Sequence, residues 1–418
     1  MSEEFTKSRY FNSSFFTPNS SRIKTLSFRS GLGSILFWSV ISAAFIGPGS
    51  VTACTMAGAQ YGVSLLWVLT FATLGTVWLQ EAASRITIAT GRDLGQTIAL
   101  ANQQRGKTIP LLLFFAVWLG CAAYQAGNIL GAVSGLALLT GWPIKGLTVC
   151  IGLVCLVLLA IGSTQWIANF LGIVVFAMGG AFVYVAFGAP VSAVEVTRAL
   201  VIPSFPAGSL LLINSLIGTT IVPYNLFFGS GITSGQTLSE MRLGIWIAVL
   251  LGGLISVVLL LAGLLVTGGF SFTNMADVLS NRVGNWGGLL FAFGLFAAGF
   301  ASSLTAPLAA AVTARSLLGW PATSWKYRLV WLLVLGIGLA FGLSDYNPVT
   351  IIVVVQAING ILLPVVTVFL FLAVNDRKLI PEEYRNSLWQ NAAMLLVVAV
   401  SLLFGGWNVW LAVQNLLR

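Results

Sequence analysis

Two short interruptions in an otherwise apolar chain carry the residue types that could hold a substrate. In the first, at 45–60, Gly47, Pro48 and Gly49 follow one another inside an apolar run of helix length. The second, at 218–225, reads GTTIVPYN and lies about halfway along the chain. Proline removes a backbone donor and glycine weakens a helix, so both stretches predict a broken helix.

A broken helix frees backbone N–H groups where its second half begins, and the helix dipole presents roughly half a positive charge there. Anions bind such ends readily. Hydroxyl and amide side chains beside the breaks add donors, although any one hydroxyl can instead bond to a carbonyl of its own helix. The candidate substrate-binding residues at the breaks are Gly47, Gly49, Ser50, Thr52, Thr219, Thr220, Tyr224 and Asn225.

The composition is that of a polytopic membrane protein. Of 418 residues, 58% are hydrophobic and 7% are charged, whereas about 25% of a soluble domain is charged. The net charge of +9 comes from basic residues scattered over short loops, so no nucleic-acid partner is expected. Histidine is absent and the four cysteines lie in apolar segments without ligand-like spacing, so no metal site is expected.

Eleven apolar runs are long enough to cross a bilayer. If the N-terminus is cytoplasmic, sixteen of the 20 lysines and arginines fall on the cytoplasmic side, in agreement with the positive-inside rule. We therefore expect a multi-pass protein of the plasma (inner) membrane with an extracytoplasmic C-terminus. The runs are 34–58, 64–88, 109–139, 144–162, 167–188, 208–234, 243–268, 286–314, 328–344, 347–373 and 390–413.

These runs divide into two halves that each open with a broken helix. Residues 34–188 and 208–373 hold five spans each, and an odd number of spans gives the halves opposite topologies. Two breaks at matching positions of an inverted repeat predict the substrate site of a secondary transporter; the alternative is that each proline only kinks a packed helix. Residues 390–413 form a peripheral eleventh helix, and residues 1–33 form a flexible cytoplasmic tail or an amphipathic segment on the membrane surface.

Other functional classes find less support in the sequence. The spans contain no histidine, no pair of acids and no nucleophile beside a base, so an enzyme is not expected. A channel would need a continuous polar pore, whereas an inverted repeat predicts a closed site at the midplane. Glu81, an acid within a span, precedes Arg85 by four residues, and this spacing predicts a neutralised pair.

Several motifs resemble the Nramp family of proton-coupled divalent-metal transporters. The run GPGSVTACTMAGAQYGVSLLWVL, followed by LQEAASRITIATGRDLGQ, is similar to the family's first helix, which carries DPGN ahead of AGAQYG. IGTTIVPYNLFFGS resembles the second signature, MPHN, and LFAAGFASSLTAPLAA also matches. The resemblance spans about 36–376 and implies an all-α membrane protein of the LeuT-type fold, a 5+5 inverted repeat of eleven helices with helices 1 and 6 broken. It also implies a substrate held between these breaks and alternating access.

The departures from the family fall on the side chains that would contact the metal. Gly47 replaces the aspartate of DPGN, Ser50 the asparagine, Val222 the methionine of MPHN and Tyr224 the histidine, while Asn225 is retained. In addition, the proton-pathway acids of the third span align with the amides Gln125 and Asn128, and Gln356 matches a family position that faces the site. Val222 and Gln356 therefore join the candidate substrate-binding residues.

This pattern indicates a transporter that has lost its transition-metal site and its proton relay. Bicarbonate, a small planar oxyanion, is the first candidate substrate, and a distant Nramp-related bicarbonate branch would agree with it. The alternative is a divalent cation, Mg²⁺ or Mn²⁺, that binds with most of its water retained. Ser302, Ser303 and Thr305 occupy positions where LeuT-type folds often bind sodium, so Na⁺ is the candidate coupling ion; no other cofactor is expected. Helix packing by small residues is the alternative for these three.

Overall fold

The computed structural model describes residues 47–161, 165–233 and 236–416, and all regular structure within these ranges is helical. The expected tail at 1–33 and the first half of the first broken span lie outside the described residues. The helices are α1 Pro48–Tyr61, α2 Leu66–Thr90, α3 Leu94–Ala101, α4 Thr108–Thr140, α5 Ile144–Ile161, α6 Gln165–Ala186, α7 Ala193–Val201, α8 Leu210–Thr220, α9 Pro223–Ile232, α10 Leu238–Gly263, α11 Phe272–Val283, α12 Asn285–Leu318, α13 Trp325–Gly342, α14 Pro348–Val374 and α15 Leu388–Leu416.

Eight helical segments in the described ranges are long and apolar enough to cross a membrane, with α8 and α9 counted together as one. The expected number of eleven is therefore not confirmed. Helix α2 has 25 residues but contains the charged residues Glu81 and Arg85. Helix α1 has only 14 residues. In α6 the apolar segment Phe170–Ala186 is shorter than a full span. The chain is nevertheless a multi-pass membrane protein.

The two longest helices of the described chain form the centre of the bundle. Helix α4 has 33 residues, α12 has 34, and they pack along each other. Small residues permit this close approach: a Cβ built on Gly299 would lie 2.4 Å from the backbone nitrogen of Ala132, and one built on Gly135 would lie 2.5 Å from the Ala292 carbonyl oxygen. Helix α14 packs against both α8 and α4, which brings it to the second break.

We call the end of the bundle that holds Arg85, Arg242 and the connection between α14 and α15 the basic end. There a buried ion network joins three parts of the chain. Glu81 accepts hydrogen bonds from Arg85 (3.0 Å) and from Nε of Arg242 (2.9 Å). Arg85 also donates to the Tyr384 carbonyl at 2.8 Å and to Asn386 Oδ1 at 2.6 Å. The expected pair Glu81–Arg85 is present, and Arg242 of α10 extends it.

Replacing Glu81 with glutamine should destabilise the protein strongly. The Arg85 side chain is only 3% exposed, and removing one partner of a buried ion pair typically costs about 3–5 kcal/mol because the other charge stays unpaired. The matched control is Asp345→Asn, which breaks the pair Lys145–Asp345, whose side chains are 57% and 89% exposed. That substitution should cost less than about 1 kcal/mol. Thermal unfolding in detergent measures both, and equal shifts for the two variants would contradict the prediction.

Candidate functional site

The first break ends where α1 begins. Gly47 is the N-cap residue in an extended conformation (φ −91°, ψ 172°), Pro48 is the first helical residue, and no side chain caps the helix. The first intrahelical bond runs from the Val51 N–H to the Gly47 carbonyl at 3.1 Å. The Gly49 N–H precedes it and has no acceptor within the helix. This is the helix end at which the sequence predicts free donors.

The second break separates α8 from α9 and repeats this arrangement. Helix α8 ends at Thr220, α9 starts at Pro223, and Val222 is an N-cap residue without a side-chain cap. The Asn225 N–H donates to the Val222 carbonyl at 3.1 Å. Proline has no N–H, so the Tyr224 N–H is the free donor of the first turn. Both half-helices thus begin with proline and an uncapped end.

Three helices meet at the breaks through four of the predicted residues. Ser50 Oγ and Thr219 Oγ1 are 3.0 Å apart and share a hydrogen bond. A Cβ built on Gly49 would lie 2.0 Å from Nε2 of Gln356, and one built on Gly218 would lie 2.0 Å from the Gln356 carbonyl oxygen. At Gly218 the neighbouring atom belongs to the backbone, so only glycine permits that approach. The structure therefore places α1, α8 and α14 in direct contact at this point.

Tyr124 of α4 borders the same point and is not among the residues predicted from the sequence. Its hydroxyl donates to the Gly218 carbonyl, one of the carbonyls near the end of α8. Its ring also meets the ring of Tyr224 edge to face, with centroids 5.5 Å apart. The available signal was a tyrosine directly before the amide Gln125 in an apolar helix, because a buried tyrosine hydroxyl usually has a hydrogen-bond partner.

Three candidate residues carry buried polar atoms without a partner among the described residues. They are Oγ1 of Thr52, Nδ2 of Asn225 and Oε1 of Gln356, and none of these residues is more than 7% exposed. An unsatisfied buried polar group costs about 1–3 kcal/mol. Such groups are rare in folded proteins and call for an explanation. These three are among fifteen such atoms in the described residues, and their place beside the two breaks suits a site that takes up a polar guest.

Other predicted residues take part less directly. The Thr220 hydroxyl donates to the Leu216 carbonyl at 2.8 Å. It therefore bonds within its own helix, which is the alternative stated above for any single hydroxyl. Val222 is buried and contributes its backbone as the N-cap. In α4, Gln125 Nε2 donates to the Ser303 carbonyl at 3.1 Å. Gln125 Oε1 and Asn128 Nδ2 are buried and have no partner within the described ranges.

The three candidate sodium ligands of α12 do not converge on one point. The Ser303 hydroxyl donates to the Gly299 carbonyl at 2.8 Å, and the Thr305 hydroxyl donates to the Ser302 carbonyl at 3.2 Å. Ser302 lies nearest to the first break, since a Cβ built on Gly47 would be 3.7 Å from its Oγ. Local hydrogen bonds thus account for two of the three hydroxyls.

The site is built from neutral groups. No contact or hydrogen bond described above for either break involves a carboxylate, and the described residues contain no cluster of three or more His, Cys, Asp or Glu side chains. Glu81, the acid of α2, is already shared by two arginines. Backbone N–H groups, hydroxyls and amides are therefore the chemistry that the breaks offer to a substrate.

Comparison with known proteins places the chain among membrane transporters. The family model "Natural resistance-associated macrophage protein-like" (Nramp) matches residues 39–411. A divalent metal cation transporter MntH of Bacillus subtilis is 26% identical over 398 residues, covering 90% of this chain and 91% of that protein. A divalent metal cation transporter MntH of Deinococcus radiodurans is 27% identical over 360 residues, covering 81% of each chain.

Solved structures confirm the predicted fold. A manganese transporter of Eremococcus coleocola superposes with a TM-score of 0.76 at 19% identity, covering 94% of this chain and 89% of the other. Mhp1, a nucleobase-cation-symport-1 family transporter with the LeuT fold, superposes with a TM-score of 0.57 at 17% identity, covering 92% of each chain. The chain thus has the LeuT-type architecture.

Proposed function

Because the chain belongs to the Nramp family, we propose that it is a secondary transporter that carries a small inorganic anion, with bicarbonate as the first candidate. The observation that carries the proposal is the neutral donor set at the two breaks. Both half-helices begin without a side-chain cap, and the hydrogen bonds described there are made by hydroxyl and backbone groups. Alternating access of the two repeats around this point would move the anion across the membrane.

Electrostatics supports an anion at such a site. A carboxylate about 4 Å from a divalent cation is worth about 8 kcal/mol at an effective dielectric constant near 20. Gly47 occupies the position of the aspartate in the DPGN motif of the family's metal transporters. The attraction between a carboxylate and a cation is therefore missing at this position. Helix N-termini, in contrast, attract negative charge through their N–H groups and dipole. The same ends that would repel a dehydrated Mn²⁺ would stabilise bicarbonate.

A divalent cation is the second candidate. The relatives described above are named divalent metal cation transporters, and these names agree better with a cation than with an anion. A largely hydrated Mg²⁺ or Mn²⁺ would have to bind through carbonyl oxygens and retained waters, because hard cations otherwise recruit at least one carboxylate. The two candidates differ in the charge of the substrate, which makes them separable by experiment.

Sodium is the proposed coupling ion. The positions of the family's proton-pathway acids hold Gln125 and Asn128, which do not titrate, and the chain has no histidine. Ser302, beside Gly47 at the first break, is the best-placed ligand of the proposed set, with Ser303 and Thr305 on the same helix. An inward sodium gradient should then accelerate uptake, whereas a proton gradient alone should not.

Thr219 and Thr220 form a matched pair for testing the site by uptake of labelled bicarbonate into liposomes that contain the purified protein. Thr219 Oγ1 shares a hydrogen bond with Ser50, whereas the Thr220 hydroxyl is used by its own helix. Thr219→Ala should raise the KM for bicarbonate roughly tenfold, the equivalent of about 1.4 kcal/mol for one hydrogen bond. Thr220→Ala should leave it within about twofold. Equal KM values for both variants would remove Thr219 from the site.

A further inference from the structure

A cleft at the basic end shares no lining residue with the candidate site at the two breaks. It has a volume of about 370 Å³ and lies between α2, α10 and the start of α15. Its walls include the ion pair Glu81–Arg242 and three tryptophans, Trp78, Trp246 and Trp389. None of these residues takes part in the contacts at the breaks. The combination of charge and indole rings needs its own explanation.

The ion network that borders the cleft carries an excess positive charge, although the charged residues of the lining itself, Glu81 and Arg242, balance each other. One carboxylate, Glu81, faces two guanidinium groups, Arg85 and Arg242. All three nitrogens of the Arg85 guanidinium group donate hydrogen bonds, to Glu81, to the Tyr384 carbonyl and to Asn386. Arg242 uses only Nε in its bond to Glu81, and its two terminal amino groups have no hydrogen-bond partner within the described ranges. Its side chain is 45% exposed, so these groups are accessible to a ligand.

The position of the cleft matches the headgroup region of a bilayer. Arg242 is the fifth residue of α10 and Trp389 is the second residue of α15, so both lie within about 6 Å of a helix start along the axis. Trp246 is 40% exposed, Trp389 is 76% exposed and Leu388 beside it is 90% exposed. Tryptophan is enriched where membrane meets water, so this wall of the cleft suits contact with lipid.

We propose that this cleft binds the phosphate of an anionic phospholipid. The terminal amino groups of Arg242 form the planar fork that suits two oxygens of one phosphate. The tryptophan rings provide an apolar surface for the glycerol and the upper acyl chain. Basic pockets between transmembrane helices commonly hold anionic headgroups. A free phosphate would gain the charge contact but would leave the exposed indole wall unused, so a lipid is the occupant that fits both features.

Lipid titration of the full-length protein tests the proposal. The purified protein in detergent is titrated with phosphatidylglycerol, phosphatidylcholine or inorganic phosphate, and the bound lipid is counted by native mass spectrometry. Phosphatidylglycerol should be retained in preference to phosphatidylcholine. Arg242→Gln should weaken this retention at least tenfold. Lys378→Gln removes the same charge from an exposed residue of the α14–α15 connection at the basic end, and it should have no such effect.

Two further variants and a competition with inorganic phosphate test whether the bound phosphate belongs to a lipid. They also distinguish loss of binding from loss of folding. Trp389→Ala should also weaken retention of phosphatidylglycerol, because it removes the apolar wall and keeps the charge. Arg242→Lys, which preserves the ion pair with Glu81, should fold normally and retain less lipid than the wild-type protein. Equal retention by the Arg242→Gln and Lys378→Gln variants would overturn the site. Displacement of the lipid by millimolar inorganic phosphate would overturn the assignment to a lipid.

Discussion

A carboxylate introduced at position 47 should abolish bicarbonate uptake. A Cβ at Gly47 would have no heavy atom nearer than Ser302 Oγ at 3.7 Å, and φ of −91° is open to any residue, so Gly47→Asp should fold. Two like charges about 4 Å apart at an effective dielectric constant of 20 repel by about 4 kcal/mol. That corresponds to a roughly thousandfold loss of affinity for the anion. Uptake of labelled bicarbonate into proteoliposomes that contain the Gly47→Asp variant measures this loss.

The control for this substitution is Gly47→Asn, which has the same shape without the charge. It should retain most of the uptake, so that the difference between the two variants reports the charge alone. Bicarbonate uptake by the Gly47→Asp variant at the level of the Gly47→Asn variant would contradict an anion at the first break.

Replacing Gly218 with alanine should separate α8 from α14 and eliminate transport. The added Cβ would lie 2.0 Å from the Gln356 carbonyl oxygen and 2.7 Å from the Gly360 nitrogen. Both atoms belong to the backbone, so the helices must move apart, and overpacking of this kind costs about 1–3 kcal/mol or more. The shift would also disturb the hydrogen bond from Tyr124 to the Gly218 carbonyl. Thermal unfolding in detergent and uptake are measured together.

Gly229→Ala is the matched control, because a Cβ on this helical glycine would meet no atom within 4 Å. Alanine favours a helix over glycine by about 1 kcal/mol, so this variant should be as stable as the wild type or more stable. An unfolding temperature of the Gly218→Ala variant equal to that of the wild type would show that α8 and α14 are not in contact at this glycine.

The sequence predicted the two breaks because their signals are local. Proline and glycine act on the backbone wherever they occur, so Gly47, Pro48 and Pro223 mark the ends of half-helices without knowledge of the fold. The neutral character of the site follows from residue types alone. The LeuT-type fold was reached through resemblance to a family, and the solved structures bear it out.

Contacts between distant parts of the chain could not be predicted in the same way. Tyr124 and Gly218 are 94 residues apart, and Arg242 lies 161 residues from Glu81. Thr219 and Thr220 have the same side chain, yet one bonds to Ser50 and the other to its own helix. Successive residues of a helix differ by about 100° in direction, so neighbours in sequence face different helices. Only the packing decides which of them reaches the site.

The charge of the transported ion separates the two candidate functions, and one flux measurement distinguishes them. Purified protein in liposomes is supplied with labelled bicarbonate, Mn²⁺ or Mg²⁺, each with and without an inward sodium gradient. We expect saturable bicarbonate uptake that sodium accelerates, and no uptake of either metal above empty liposomes. Saturable uptake of Mn²⁺ or Mg²⁺ together with no bicarbonate uptake would contradict it, and would show that carbonyl groups and retained waters at the breaks bind a cation.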